Sequence, residues 1–256
     1  MELRNARLKT ARKPLFIELC IVFALSLGAS AIYSVVSLIS KLLAPAGLAG
    51  QVTKINSSMA RAEWLDFTYQ LLSVAFGLAP VALALYLLWQ TNQNPFKTLG
   101  LSLKSPVFWV SRGFLLAAAI GLPGLALYIA ARLLGLSSKV VPAELPNYWW
   151  AVPILLLAAV KAALVEEVLV VGYLFNRLEK LGLSSFGQLM ISATLRGSYH
   201  LYQGFGGFVG NFAMGLVFGW AYKKWGRVMP LVFAHFLLDA ISFVGYALIG
   251  GSLPLP

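Results

Sequence analysis

Apolar stretches of 18 or more residues recur along this chain, each long enough to cross roughly 30 Å of hydrocarbon as a helix. With 59% hydrophobic and 11% charged residues, there is too little polar surface to cover one or two soluble domains. A soluble domain carries about 25% charged residues. The expected fold is therefore all-α, a polytopic transmembrane helix bundle. It forms a single integral membrane domain over 1–256, with no repeat and no low-complexity tract.

Seven spans fit the hydropathy: about Phe16–Lys41, Leu65–Gln90, Val107–Leu134, Trp149–Leu178, Ser185–Gln203, Phe205–Lys223 and Val228–Ile249. The stretch Leu43–Glu63, small and apolar, could add an interfacial helix and raise the count to eight. The net charge of +11 sits at the ends of apolar segments, not along one polar face, so it reads as a topology signal and no nucleic-acid partner is expected. With the N-terminus cytoplasmic, the inner segments hold Arg4, Arg7, Lys9, Arg12, Lys13, Lys97, Lys104, Arg177, Lys180, Lys223, Lys224 and Arg227. The outer ones hold only Lys41, Lys54, Arg61, Arg132 and Lys139. That is the bias expected for seven spans with the C-terminus outside. The basic N-terminus runs into a long apolar core without a small-residue cleavage site, which reads as an uncleaved first span.

Smaller features refine this picture. Trp149 and Trp150 stand where an aromatic belt is expected. Pro80, Pro123 and Pro153 lie within spans, where neighbouring helices must satisfy the freed carbonyls. Gly206/Gly210 and Gly215/Gly219 have the spacing that allows close helix approach, and are expected to gather the fifth and seventh spans around the sixth. Cys20 reads as a small buried hydrophobe. Glu18 and Asp66, near span ends, are expected to reach the membrane interface.

Other ionisable groups lie deep within the apolar segments. A charge at mid-bilayer costs about 2.5–3.5 kcal/mol even on generous scales, so such groups are functional candidates by default. Glu166, Glu167 and Asp239 fall within spans, as do both of the chain's histidines, His200 and His235. His235 and Asp239 are four residues apart and share a helix face, as do Arg196 and His200. Glu166 and Glu167 point about 100° apart in an α-helix, so one is expected to face a reacting centre while the other takes a supporting partner. Lys161 could be a counter-ion. A general base for water, with polar groups at developing charge, is what this set could supply.

The strings VEEVLVVGYLFNRL (Val165–Leu178), RGSYHLYQG (Arg196–Gly204) and FAHFLLDAI (Phe233–Ile241) resemble the CAAX protease and bacteriocin-processing family of intramembrane proteases, of the Ras-converting CaaX endopeptidase type. That family shows EExxxR, then FxxxH, then HxxxN or HxxxD on successive helices, and the resemblance covers about 149–250. It implies that Glu166 is the general base, activating water with His200. His235 and Asp239 would stabilise the oxyanion or complete the polar cage, and Glu167 would support them. Two positions depart from the pattern: Val171 stands where the arginine belongs, and Arg196 where the phenylalanine belongs. Arg196 is expected to supply the missing counter-charge to Glu166 or Glu167 from the opposite wall.

The resemblance implies hydrolysis of a peptide bond in a membrane-associated protein or peptide, with membrane lipid as surroundings and the plasma membrane of a bacterium as the expected location. The expected chemistry requires no cofactor, since no HExxH motif is present. Two histidines and several carboxylates could nevertheless hold zinc through Glu166, His200 and His235, as a metalloprotease would. Two other function classes compete. One is a catalytically inactive, family-like membrane protein for binding, immunity or regulation. The other is a proton-coupled transporter, since buried Glu and His also build proton relays.

Overall fold

The structure, a computed structural model, describes residues 2–250, with side chains from residue 12 onward; Arg4, Arg7 and Lys9 of the topology argument thus lie outside the described side chains. With no water to pair exposed backbone in hydrocarbon, apolar segments close their hydrogen bonds within helices, and the chain is 76% helical. Helices α1 (Glu2–Ala24) and α2 (Leu27–Leu43) meet at a break and are bent by 54°. They are followed by α3 (Glu63–Gly77), α4 (Ala79–Gln90), the short α5 (Pro95–Leu99) and α6 (Pro106–Leu133). Next come α7 (Ala151–Glu166), a π-helical segment (Glu167–Tyr173) and α8 (Leu174–Lys180). Helix α9 (Ser185–Tyr199), a 3-10 turn (Leu201–Gln203), α10 (Phe205–Trp225) and α11 (Met229–Ile249) complete the chain.

Among the described residues, 3 helical stretches are long and apolar enough to cross a membrane: Glu63–Gln90, Pro106–Leu133 and Met229–Ile249. The bent α1–α2 pair raises this to as many as 4. The other expected spans are helical too: the fourth as α7, the π-helical segment and α8, the fifth as the 15-residue α9, and the sixth as the unbroken 21-residue α10. The fourth carries Lys161, Glu166, Glu167 and Arg177, the fifth carries Arg196, and the sixth is rich in glycine.

Several expectations are corrected by the packing. The stretch Leu43–Glu63 forms no helix. It turns into strand β1 (Val52–Ser57), which pairs in parallel with β2 (Lys139–Glu144), Thr53 facing Val140 and Lys54 facing Val141. Val52, Thr53 and Ile55 against Val140 and Val141 are the β-branched residues that favour a pleated surface, so the fold is not purely α. Cys20 is exposed, because an apolar side chain on the outer face of a membrane helix can meet lipid instead of protein. Trp149 is 80% exposed but Trp150 is 2% exposed and donates its indole N–H to Glu63 Oε1 at 3.2 Å, so only the first Trp is placed as a belt residue.

Glu18 and Asp66 both find partners within the protein. Glu18 Oε1 accepts from Arg177 Nε at 2.7 Å and from the Tyr173 hydroxyl. Asp66 is fully buried and accepts from the Met59 N–H at 2.8 Å and from Gln70 at 3.2 Å.

The glycines of α10 bring it against α9 and α6, while α11 packs on α6 and α7 instead. A Cβ at Gly215 would stand 2.8 Å from the Ala193 Cα, and one at Gly206 would stand 2.4 Å from the Ala131 Cβ. Close backbone approach at these positions therefore requires glycine. The π-helical segment is the hub of this arrangement, with every residue from Val168 to Tyr173 buried. Val168, Leu169, Val170 and Tyr173 pack with Leu88 of α4, Leu19 and Val22 of α1, and Leu99 of α5. Val171 faces the other way, into Leu116, Phe175, Phe218 and Leu231.

Candidate active site

The two adjacent glutamates stand at a change of helix type: Glu166 ends α7 and Glu167 opens the π-helical segment. A π-helical turn hydrogen-bonds i→i+5 and is wider than an α turn, and such insertions are frequent at functional sites. Its Val170 carbonyl accepts from Ser192 Oγ at 2.8 Å. Ser192, Arg196 and His200 follow at four-residue spacing, so one ridge of α9 lies along the glutamates.

Arg196 is fully buried. Its Nη2 lies 2.7 Å from Glu167 Oε1 and its Nη1 lies 3.4 Å from Glu166 Oε2, with the Phe218 ring beneath the guanidinium at 5.5 Å. One guanidinium thus meets both carboxylates from the facing helix, where the sequence pointed to one or the other. Val171, at the position of the absent family arginine, is apolar core.

The two carboxylates nevertheless have different surroundings. Glu167 has a fully buried side chain and is shared between Arg196 and His235, whose Nδ1 lies 2.7 Å from Glu167 Oε1. Glu166 retains 12% side-chain exposure and faces His200, whose Nε2 is 3.8 Å from Glu166 Oε2. That separation is too long for a direct hydrogen bond and suits a water bonded to both groups. His200 Nε2 is buried without a hydrogen-bond partner among the described residues. His235 Nε2 lies 3.5 Å from Asp239 Oδ2, so the imidazole of α11 is bracketed by two carboxylates. The structure thus brings Glu166, Glu167, Arg196, His200, His235 and Asp239 into one connected cluster.

Lys161 makes no ion pair with Glu166 among the described residues. Its electrostatic neighbour is Asp239, and its aliphatic chain runs against Gly77 of α3. One further member was not anticipated. Tyr199, 4% exposed, donates its hydroxyl to Glu166 Oε2 at 2.8 Å. The signal was present in the sequence: a tyrosine inside a membrane span needs a partner for its O–H, and the residue before His200 was the obvious one to ask about.

The groups able to offer ligand atoms to a metal are Glu166, Glu167 and His235, whose atoms lie within 4.8 Å of one another. This differs from the expected set, with Glu167 in place of His200. The donors fit a divalent cation poorly. Glu167 Oε1 and His235 Nδ1 already engage each other, and the guanidinium of Arg196 supplies positive charge at both carboxylates.

No curated protein and no solved structure matches the chain. Residues 148–241, which carry all six clustered residues, match the family model described as Type II CAAX prenyl endopeptidase Rce1-like, and this supports assigning the chain to the CAAX protease and bacteriocin-processing family.

Proposed function

We propose that the protein is an intramembrane endopeptidase in which Glu166 and His200 hold and activate the attacking water. The observation that carries this reading is the facing pair itself: a carboxylate oxygen and an imidazole nitrogen 3.8 Å apart, within helices buried in an apolar bundle. Glu166 accepts a proton as the water oxygen adds to the peptide carbonyl carbon, then returns it to the amine nitrogen as the C–N bond breaks. Tyr199 and Arg196 orient and balance Glu166. Glu167 and Asp239 hold His235, which completes the polar wall at the developing oxyanion.

The substrate class that the family description suggests is a peptide or protein presented within or beside the membrane. The bundle would have seven spans, with the N-terminus cytoplasmic and the C-terminus outside, in the plasma membrane of a bacterium. No step requires a metal, since the counter-charge comes from Arg196.

The test is cleavage of internally quenched fluorescent peptides by purified protein in detergent, comparing wild type with Glu166→Gln and His200→Ala. Wild-type cleavage lost in both variants, and unchanged by a chelator, is the expected result. Equal cleavage by all three proteins would sink the assignment, and chelator sensitivity would sink its metal-free form.

A further inference from the structure

His200 stands in an irregular backbone. Helix α9 ends at Tyr199, a 3-10 turn follows, and Gly204 leaves it at φ 109. A helix end leaves carbonyls without intrahelical partners, and this one lies beside the proposed reaction centre. The partners come from outside the family-matched residues 148–241.

Ser34 Oγ of α2 donates to the Tyr199 carbonyl at 2.9 Å. Two turns along the same helix, Lys41 Nζ donates to the Tyr202 carbonyl at 2.5 Å and to Thr53 Oγ1 of β1 at 2.5 Å. Thr53 Oγ1 lies 2.6 Å from Ser138 Oγ, and Ser138 Oγ donates to the Gln203 carbonyl at 3.1 Å. The Ser138 N–H reaches that same carbonyl at 2.9 Å.

The donor directions are mutually consistent. An ammonium only donates, so Thr53 Oγ1 accepts from Lys41 and keeps one hydrogen, which faces both Ser138 Oγ and, at 3.3 Å, the Tyr202 carbonyl, while the Ser138 hydroxyl serves Gln203. A cation at a helix C-terminus also meets the negative end of the helix dipole. The turn is closed further by the bridge between Ser137 and Gly204. A Cβ at Gly204 would stand 2.6 Å from the Leu136 carbonyl oxygen, so the close passage of the two segments needs glycine there.

Resting on the protease reading above, we propose that Lys41 is a positioning residue for His200. It acts through Thr53 and Ser138 to clamp the backbone carbonyls of Tyr202 and Gln203. The two-stranded sheet then has a role: it carries Thr53 and Ser138 to the turn on which the imidazole stands. Lys41 touches no reacting atom. Its part is to hold the His200 backbone so that Nε2 keeps its distance from Glu166.

The experiment compares the full chain with Lys41→Met, Lys41→Arg and Ser138→Ala in detergent, by amide hydrogen exchange and by cleavage of the same quenched peptides. In Lys41→Met, exchange should accelerate in the 199–206 segment alone. Its kcat should fall about ten- to a hundredfold, the scale of a misplacement of about 1 Å, with KM within about twofold. Lys41→Arg should recover most of both changes, and Ser138→Ala should show a weaker form of them.

Unchanged exchange at 199–206 in Lys41→Met overturns the proposal. Acceleration spread over the whole chain overturns it too, since Lys41 would then be a general stabiliser. A fall in kcat that Lys41→Arg does not recover has the same consequence. If wild type cleaves no peptide, the protease reading fails, and hydrogen exchange alone decides whether the clamp exists.

Discussion

Arg196→Met removes the one guanidinium that meets both glutamates while keeping an apolar stem over Phe218. The wild-type arginine is fully buried, 2.7 Å from Glu167 Oε1 and 3.4 Å from Glu166 Oε2. Glu167 Oε2 has no hydrogen-bond partner among the described residues, so after the change Glu167 would keep His235 as its polar contact. An exposed ion pair is worth about 0–1 kcal/mol, but removing one member of a buried pair leaves an uncompensated charge and costs about 3–5 kcal/mol. The buried figure applies here. At about 2–4 °C per kcal/mol for a chain of this size, the midpoint should fall by about 6–20 °C.

The second arm separates charge from packing. Adding Glu167→Gln to Arg196→Met removes the orphaned carboxylate, while the amide oxygen can still accept from His235 Nδ1. The double variant should therefore recover at least half of the lost stability. Thermal unfolding in detergent, followed by intrinsic fluorescence, measures both. A single variant within about 1 kcal/mol of wild type, the scale of an exposed pair, would refute the reasoning. A double variant no more stable than the single one would refute it equally.

Two further predictions follow from the same geometry. Tyr199→Phe deletes the hydroxyl that donates to Glu166 Oε2 at 2.8 Å, a hydrogen bond to a charged group worth about 1.5–3 kcal/mol. Peptide cleavage should fall while the ion pairs of Glu167 persist, and full activity in this variant would remove Tyr199 from the site. Gly215→Val forces carbon into a contact already 2.8 Å from the Ala193 backbone. The resulting overpacking should cost about 1–3 kcal/mol and lower the midpoint of thermal unfolding, whereas Gly245→Val, with no neighbour near its Cβ, should be tolerated.

Much of the site was legible before any coordinates. Ionisable residues inside apolar segments are conspicuous because hydrocarbon penalises them, and four-residue spacing places His235 with Asp239 and Arg196 with His200 on shared faces. The exchange of an arginine for Val171, set against the arginine at 196, pointed to a counter-charge from α9, and Arg196 lies against both glutamates. The difference between the glutamates was less legible. A rotation of about 100° per residue separates them in a regular helix, but the π-helical segment that starts at Glu167 depends on burial of Val168–Tyr173 by helices from across the whole chain. For Tyr199 the sequence signals that a buried hydroxyl needs a partner, but only the packing of α9 against α7 makes that partner the Glu166 carboxylate.

Composition and hydropathy by themselves determined that this is a helical membrane protein and which rare polar groups its interior must accommodate, because transfer costs act on each residue and segment locally. They did not determine which of those groups are paired. Glu18 and Asp66 resembled interface residues in sequence, yet tertiary contacts gave one Arg177 and Tyr173 and the other a backbone N–H and Gln70. Nor did they anticipate β1 and β2, whose pairing joins segments 87 residues apart, Val52 with Lys139 being the first pair. Parallel pairing, the stitching of Lys41 to the turn after His200, and the meeting of Glu166 with His200 are all long-range. Only the folded bundle decides them, because they depend on which helix faces which and at what height.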